Sequence, residues 1–291
     1  MVERSYQNEV LVDAVVTGSS AHGEFIELSD GVTYYELGGP EDGQVVVLVH
    51  GFAIPCQIWE PTFEFLSKAG FRVLRYDLFG RGFSARPQGR YNLDLFDRQL
   101  DELISRLELH EPVDLIGLSM GGVISVAFCD RHSQRVRKLC LIDPAGYSTQ
   151  KSVLLRILAA PVVGEVLIDL FGEWFLLNRI RSEHRGQGIP AYYTAAKDQF
   201  GFNGYKRALL STIRNDCLRD QSRIYQRVGA QGQETLLIWG KRDNLIPLKL
   251  SEKVCQAIPT CELWVIEDAR HIPHYEKPED VNRILLNCLL R

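Results

Sequence analysis

The chain has 291 residues, of which 45% are hydrophobic and 24% are charged, so it can bury a substantial core without disulfides or metal. This composition excludes a disordered or collagen-like protein. The net charge of −4 argues against general nucleic-acid binding and against charge-driven attachment to anionic membranes. We therefore expect no nucleic-acid partner.

The cysteines and the start of the chain favour a reduced compartment. The seven cysteines are an odd number, and no two have the short spacing of a zinc or redox motif. Residues 1–4 lack the basic start and apolar run of a signal peptide. The most hydrophobic region, 154–180, is interrupted by charges and a proline, and its longest charge-free run, 157–164, is too short to span a bilayer. These features predict a cytoplasmic protein without an integral membrane segment.

Strands and helices alternate over the first half of the sequence. Residues 24–37 predict two short strands that turn at Asp30-Gly31. Apolar strands are then expected at 45–49, 72–76, 113–116 and 136–142, with helices at 61–69, 93–107 and 120–131. Because strands alternate with helices, we expect an α/β fold with a mostly parallel sheet and helices on both faces.

The alternation stops after Gly146. Residues 147–230 have a helical pattern without a core strand, and strands resume at 235–239 and 262–266 before a final helix at 279–290. The sequence thus predicts a core domain formed by 24–146 and 231–291, interrupted by a helical insertion over 147–230. Residues 1–23 form an N-terminal extension with no predicted role.

Residues 117–121 form the pentapeptide Gly-Leu-Ser-Met-Gly. A core strand is predicted just before it and a helix just after it. A tight strand-to-helix turn needs small flanking residues and holds the serine hydroxyl above the sheet, so Ser119 is a candidate nucleophile. The other interpretation is a serine that only caps the helix N-terminus.

A serine hydroxyl needs a general base, and the base needs an acid that orients it. In serine enzymes with this strand-turn-helix motif, the chain order is serine, acid, histidine. Asp243 directly follows one predicted strand, and His271 lies shortly after the next. Both therefore belong to loops at the carboxyl edge of a parallel sheet, where Ser119 lies and where ligands bind.

Each of these assignments has a competitor in the sequence. Asp143, at the end of the strand before the insertion, competes with Asp243, but we interpret it as a residue that bonds local backbone. His274 is the rival of His271, although it would begin the last helix. Four further histidines lie in polar contexts that predict exposure: His22, His110, His132 and His184.

Acyl transfer also requires backbone N–H donors for the oxygen that becomes negatively charged. One donor is expected to be Met120, directly after the nucleophile. The other is expected from the loop after the first parallel strand, where Phe52 is the natural donor. His50 in the same loop is either catalytic or, as we favour, packed behind the loop.

Five segments in a fixed order resemble the α/β-hydrolase fold superfamily, in its serine-nucleophile, carboxylesterase- and lipase-like branch. They are Val49-His50-Gly51-Phe52, Tyr76-Asp77-Leu78-Phe79-Gly80-Arg81-Gly82-Phe83-Ser84, Gly117-Leu118-Ser119-Met120-Gly121-Gly122, Trp239-Gly240-Lys241-Arg242-Asp243 and His271-Ile272-Pro273-His274. The resemblance covers residues 24–291. It implies Ser119 as nucleophile, Asp243 as acid and His271 as base, with Phe52 and Met120 as oxyanion donors.

The resemblance further implies that residues 147–230 form a cap, or lid, over the active site. One departure is Arg270, because a glycine usually precedes the catalytic histidine in this family. Relatives that resemble haloalkane dehalogenases and epoxide hydrolases carry aspartate in place of Ser119, so those reactions are not expected. Hydrolases of meta-cleavage products usually carry tryptophan after the base, where this chain has Ile272, which weakens a C–C hydrolase assignment.

The activity expected from the resemblance is hydrolysis of carboxylic esters of lipophilic small molecules, with no cofactor and no metal. The alternatives are a C–C, thioester or amide hydrolase with the same triad, or a ligand receptor that retains the triad. Superfamily membership indicates the fold better than the reaction.

The predicted cap contains an apolar helix that is a candidate substrate wall. Its apolar residues recur at helical spacing: Val163, Val166, Leu167, Leu170, Phe171, Trp174 and Phe175. Phe171, Trp174 and Phe175 are the candidate substrate-binding residues, and they predict an apolar pocket. The simpler interpretation is a helix that packs on the core, and the two interpretations are compatible.

Overall fold

An eight-stranded sheet forms the centre of the structure, a computed structural model that describes residues 22–110, 112–147, 153–183 and 191–291. Its strands are β1 (Glu24–Leu28), β2 (Gly31–Gly38), β3 (Val45–Val49), β4 (Arg72–Tyr76), β5 (Val113–Leu118), β6 (Val136–Ile142), β7 (Thr235–Gly240) and β8 (Cys261–Ile266). Their spatial order is β1-β2-β4-β3-β5-β6-β7-β8. The pairs β1–β2 and β2–β4 are antiparallel and all others are parallel, which confirms the predicted mostly parallel sheet.

Eleven helices accompany the sheet within the described ranges. They are α1 (Glu60–Lys68), α2 (Leu93–Arg106), α3 (Met120–Arg131), α4 (Val153–Ala159), α5 (Val163–Glu183), α6 (Ala191–Asp198), α7 (Tyr205–Arg214), α8 (Ser222–Ala230), α9 (Ser251–Ala257), α10 (Pro273–Glu276) and α11 (Pro278–Leu289). Helices α4 to α8 all lie between β6 and β7, where the sequence predicts the insertion. The proposed N-terminal extension lies outside the described residues except for residues 22 and 23, and His184 lies outside them as well.

The central strands are apolar because both faces of the sheet are covered. Along β3, Val45, Val47 and Val49 belong to one hydrophobic cluster, and Val46 and Leu48 belong to a second cluster on the opposite face. Alternate side chains of a strand point to opposite faces, so a strand buried on both faces needs a continuous apolar run. This is why the β3 sequence alone predicts a central strand.

Helix α5 differs from its predicted packing. The side chains that it buries include Ile168, Leu177 and Ile180. The residues that were expected to form an apolar wall are instead between 45% and 68% exposed: Val163, Val166, Leu170, Phe171, Trp174 and Phe175. Apolar residues occupy both faces of α5, and periodicity alone does not determine which face contacts the core. Within the described ranges, no helix is both long and apolar enough to cross a bilayer.

Candidate active site

Ser119 lies in the sharp turn between β5 and α3, at the carboxyl edge of the sheet. Its backbone has φ 54° and ψ −115°, a region that non-glycine residues rarely occupy. The turn is tight because the chain passes close to β3: a Cβ on Gly121 would lie 2.2 Å from the carbonyl oxygen of Val49. Glycine is therefore required at this position, and the strained turn presents the Ser119 hydroxyl above the strand ends.

The structure brings the side chains of Ser119, His271 and Asp243 into one chain of hydrogen bonds. The Oγ atom of Ser119 lies 3.0 Å from Nε2 of His271, and Nδ1 of His271 lies 2.7 Å from Oδ2 of Asp243. The other oxygen of Asp243 accepts bonds from the backbone N–H groups of Leu245 and Ile246, at 2.7 and 2.9 Å. With the ring proton on Nδ1, His271 donates a hydrogen bond to Asp243, and its Nε2 can accept one from the Ser119 hydroxyl.

Asp143 and His274, the two competitors, lie close to this group and make different contacts. Asp143 is buried, with φ 41°, and its Oδ1 accepts the backbone N–H of Gly240 at 3.0 Å. Burial, followed by the Asp243 charge, raises the pKa of Asp143 well above its ordinary value. His274 is buried against the Trp59 ring, 4.3 Å between centroids, and burial lowers its pKa to about 3.

Among the remaining described histidines, the ring hydrogen bonds of His50 and His132 go to residues other than Ser119. His22 and His110 are exposed, whereas His132 is half-buried with Nε2 3.4 Å from Oδ2 of Asp97. His50 is fully buried, and its Nε2 accepts the Leu78 backbone N–H at 2.9 Å. Burial lowers the pKa of His50 to about 3, so it is neutral.

The loop after β3 lies beside Ser119. A Cβ on Gly51 would be in ordinary contact, 3.5 Å, with the Cβ of Ser119. Nδ1 of His50 lies 2.9 Å from the carbonyl oxygen of Gly51, and the carbonyl oxygen of Phe52 accepts a bond from Nε of Arg81 at 2.9 Å. These bonds hold the two peptide units that flank Phe52, and the first of them carries the Phe52 N–H. The oxyanion role of Phe52 and Met120 stays a prediction.

The sequence profile of the alpha/beta hydrolase family matches residues 46–284, which is most of the chain. The chain belongs to the alpha/beta hydrolase family.

Members of the alpha/beta hydrolase family that resemble this chain have different activities. A 2-hydroxymuconate semialdehyde hydrolase from Pseudomonas putida is 29% identical over 256 residues, covering 85% of this chain and 88% of that protein. The enol-lactonase of Burkholderia xenovorans LB400 has a TM-score of 0.79 at 21% identity, covering 92% of this chain and 100% of that one. A bromoperoxidase from Bacillus anthracis has the same TM-score and coverage at 22% identity. The two structural similarities establish the shared fold, and the reaction must be argued from the site.

Two features of this alpha/beta hydrolase site were not foreseen from the sequence. The first is Arg81, whose guanidinium is fully buried although burial lowers its pKa. Besides the Phe52 carbonyl, it donates to the carbonyl oxygen of Phe79 at 3.2 Å and to Oγ1 of Thr212 at 2.9 Å. Arg81 therefore links the loop beside Ser119 to α7 of the insertion.

The second unforeseen feature is Glu276, which brackets the backbone of His271. One carboxylate oxygen accepts the Arg270 N–H at 2.8 Å, and the other accepts the Ile272 N–H at 3.3 Å. One side chain thus holds the backbone N–H groups of both residues next to His271. The sequence signal was weak, because an acid five residues after a histidine has no meaning without this turn.

Replacing Glu276 with alanine should lower kcat about tenfold with a smaller change in KM, because the imidazole loses its fixed orientation. Glu276→Gln keeps one carbonyl oxygen as an acceptor, so its kcat should lie between those of Glu276→Ala and the parent. Steady-state kinetics measures both constants, and Glu279→Ala on the exposed start of α11 is the control. An unchanged kcat in Glu276→Ala would show that the backbone alone positions His271.

Asp77 holds the loop that carries Arg81. Its two carboxylate oxygens accept the backbone N–H groups of Cys56 and Phe83, both at 2.8 Å. Burial raises the pKa of Asp77 from 3.8 to about 6, and the two bonds partly oppose that shift. Folded protein therefore binds this proton more tightly than unfolded protein.

The sign of the resulting pH effect follows from linkage. The contribution of Asp77 to stability is complete below its unfolded pKa of 3.8 and is lost as the pH rises through about 6. Relative to Asp77→Asn, the free energy of unfolding of the parent should fall by about 2 kcal/mol between about pH 4 and pH 7. Urea denaturation of both proteins across this range measures the difference, and parallel curves would contradict the shift.

One group of side chains in the described part of the chain has donors close enough to share a metal ion. It consists of Asp143, Asp243 and His271, whose donor atoms lie within 4.8 Å of one another. Both ring nitrogens of His271 are already in hydrogen bonds, to Asp243 and to Ser119. A metal ion at this place would therefore have to displace one of these two hydrogen bonds.

An open surface cavity of about 660 Å³ lies between the C-terminal half of α5 and the residues next to Asp243 and His271, and six of its eight lining residues are exposed. Trp174 and Phe175 line it, whereas Phe171 does not and is 54% exposed. Their role in substrate binding stays a prediction. Polar and cationic side chains form the rest of the lining: Asn178, Arg179, Arg181, Ser182, Asn244 and Arg270. The cavity is therefore more polar than the apolar pocket that the sequence predicts.

Proposed function

We propose that the protein is a serine hydrolase that cleaves carboxylic esters of lipophilic small molecules through an acyl-enzyme. The observation that carries the proposal is the hydrogen-bonded chain from Ser119 through His271 to Asp243. A serine in a strained turn, with a base and an orienting acid in contact, is the arrangement that acyl transfer needs. We further propose that residues 147–230 act as the cap over this site.

In the proposed reaction, His271 takes the hydroxyl proton while Oγ of Ser119 attacks the ester carbonyl. The backbone N–H groups of Phe52 and Met120 stabilise the oxygen that becomes negatively charged. His271 then protonates the leaving alcohol, and an acyl-enzyme forms on Ser119. Water that gives its proton to His271 then attacks this acyl group. The bond between the acyl carbon and Oγ of Ser119 breaks, His271 returns the proton to Oγ, and the acid leaves. Asp243 holds the imidazole and stabilises its cation in both halves.

The proposal is tested by hydrolysis of 4-nitrophenyl esters from acetyl to palmitoyl. Release of 4-nitrophenol with a burst phase would indicate an acyl-enzyme, and mass spectrometry would place the acyl group on the peptide that contains Ser119. The chain-length optimum would measure the acyl pocket. If every ester is inert but a fluorophosphonate still labels Ser119, the nucleophile is reactive and another bond is the target.

A C–C bond hydrolase is the second candidate function, and one observation favours it. The 2-hydroxymuconate semialdehyde hydrolase resembles this chain over 88% of its own length. Against it, Ile272 stands where hydrolases of meta-cleavage products usually carry tryptophan. Vinylogous diketones and 4-nitrophenyl esters, compared at equal concentration with product analysis, distinguish the two candidates. Thioester and amide substrates belong in the same panel.

A further inference from the structure

The cavity beside α5 is cationic. Three arginines line it, Arg179, Arg181 and Arg270, and none of its described lining residues is an aspartate or glutamate. The carboxamides of Asn178 and Asn244 and the hydroxyl of Ser182 add neutral hydrogen-bond donors. Guanidinium groups together with amide donors are the chemistry that binds a carboxylate, often through two parallel hydrogen bonds.

Arg270 differs from two other cations near the strand ends in its ion pairing. Lys241 forms an ion pair with Glu267 at 2.6 Å, and Arg242 forms one with Asp268 at 2.7 Å. Within the described residues the guanidinium of Arg270 has no carboxylate partner, although its backbone N–H is bonded to Glu276. A half-buried guanidinium without a partner retains its attraction for an anion that enters the cavity.

Two residues that line the cavity are sequence neighbours of the proposed catalytic residues. Asn244 directly follows Asp243, and Arg270 directly precedes His271. On the opposite wall, Trp174 and Phe175 provide apolar surface. A ligand in this cavity thus meets aromatic rings and cations together, next to the residues that orient the base.

We propose that this cavity binds the carboxylate end of the substrate, and that the preferred substrates are monoesters of dicarboxylic acids. The carboxylate lies against Arg270 and the carboxamides, and the carbon chain lies along Trp174 and Phe175. The ester end extends toward Ser119. This inference rests on the proposed esterase function and specifies the substrate class of the same site.

The test compares matched pairs of 4-nitrophenyl esters. One member of each pair is the mono-4-nitrophenyl ester of a dicarboxylic acid, from glutaric to sebacic acid, and the other is its neutral methyl diester. The ratio of kcat/KM between the two members reports the contribution of the carboxylate. The parent should favour the anionic member by at least about tenfold at one chain length, and the preference should weaken as salt is added.

Arg270→Gln should reduce that ratio about tenfold, and Arg270→Lys should restore part of it. Arg242→Gln is the matched control: it removes the same charge from a nearby exposed ion pair and should leave the ratio unchanged. A parent enzyme that hydrolyses the neutral diesters without favouring the monoesters would overturn the inference while the esterase function stands. Equal reductions in Arg242→Gln and Arg270→Gln would also overturn it, since they would indicate long-range attraction alone.

A binding measurement separates this inference from the proposed reaction. Ser119→Ala should show a larger rise in Tm with the mono-4-nitrophenyl ester than with its methyl diester, since binding needs no turnover. If the parent hydrolyses neither ester but this difference persists, the proposed function fails and the carboxylate site remains. If the parent hydrolyses neither ester and the difference in Tm is absent as well, both the proposed function and the carboxylate site are refuted.

Discussion

Replacing Ser119 with alanine is expected to lower kcat for 4-nitrophenyl esters at least about a thousandfold while the protein stays folded. The variant lacks the only protein atom that forms a bond to the acyl group in the proposed mechanism. His271 and Asp243 remain, but they have no hydroxyl to activate. Any residual rate comes from a water molecule in place of the serine and from stabilisation of the carbonyl oxygen.

The control for this variant is Ser67→Ala on α1. The Ser67 hydroxyl has no hydrogen-bond partner among the described residues, so its loss should leave kcat unchanged. Circular dichroism and the thermal transition of both variants check the fold. Turnover near the parental rate in a highly purified Ser119→Ala preparation would refute the nucleophile assignment.

Asp243→Asn is expected to lower kcat by about a thousandfold to ten-thousandfold. The two backbone N–H groups of Leu245 and Ile246 hold the amide oxygen, so the amide NH₂ must face Nδ1 of His271. An NH₂ group there favours the tautomer with the proton on Nε2, which can no longer accept the Ser119 proton. The loss should appear in kcat, measured with the best ester, while the fold is retained.

Asp143→Asn is the matched partner of that variant, since both replace a buried carboxyl with its amide isostere beside His271. Burial raises the pKa of Asp143 well above its ordinary value and so favours the neutral carboxylic acid, which an amide resembles. We therefore expect kcat to change by no more than about threefold. Asparagine can still accept the Gly240 N–H and place its NH₂ toward Asp243. In the pH profile of kcat, the apparent pKa of the acidic limb should be the same as in the parent.

An ionised Asp143 would give a different pH profile. Its negative charge would stabilise the His271 cation, so the amide would lower the apparent pKa of the base and move the acidic limb to lower pH. A displacement of more than about half a pH unit would show that Asp143 carries charge in the parent. A large loss in Asp143→Asn, with a mild effect in Asp243→Asn, would exchange the two assigned roles.

Strands and the turn at Ser119 could be predicted because local sequence determines them. The apolar run of β3 is required by burial on both faces, and the small residues around Ser119 are required by the close approach to Val49. The contacts among Ser119, Asp243 and His271 follow less directly, from the rule that parallel strands end at one edge. Sequence spacing indicated that they would be neighbours, but not their distances.

The insertion could be predicted as helical but not in its packing. Helix α5 carries apolar side chains all round, so its pattern did not show that Trp174 would be 65% exposed while Leu177 is buried. Arg81 and Glu276 were missed for another reason. Each acts on backbone groups brought near by the fold, the Phe52 carbonyl in one case and the N–H groups beside His271 in the other. Such contacts leave no periodic signal in the sequence.

The bonds between the insertion and the core have a thermodynamic consequence. The Arg81 guanidinium depends on Thr212, the buried N–H of Gly82 donates to the Gln199 side chain at 2.7 Å, and the Tyr205 hydroxyl donates to the Ala53 carbonyl at 2.9 Å. Each buried group left without its partner costs about 1–3 kcal/mol, against a total stability of about 5–15 kcal/mol for a typical protein. Excising the insertion would consume much of that margin, so we expect the two parts to melt as one cooperative unit. Removal of α7, which carries both Tyr205 and Thr212, is therefore expected to destabilise the core itself.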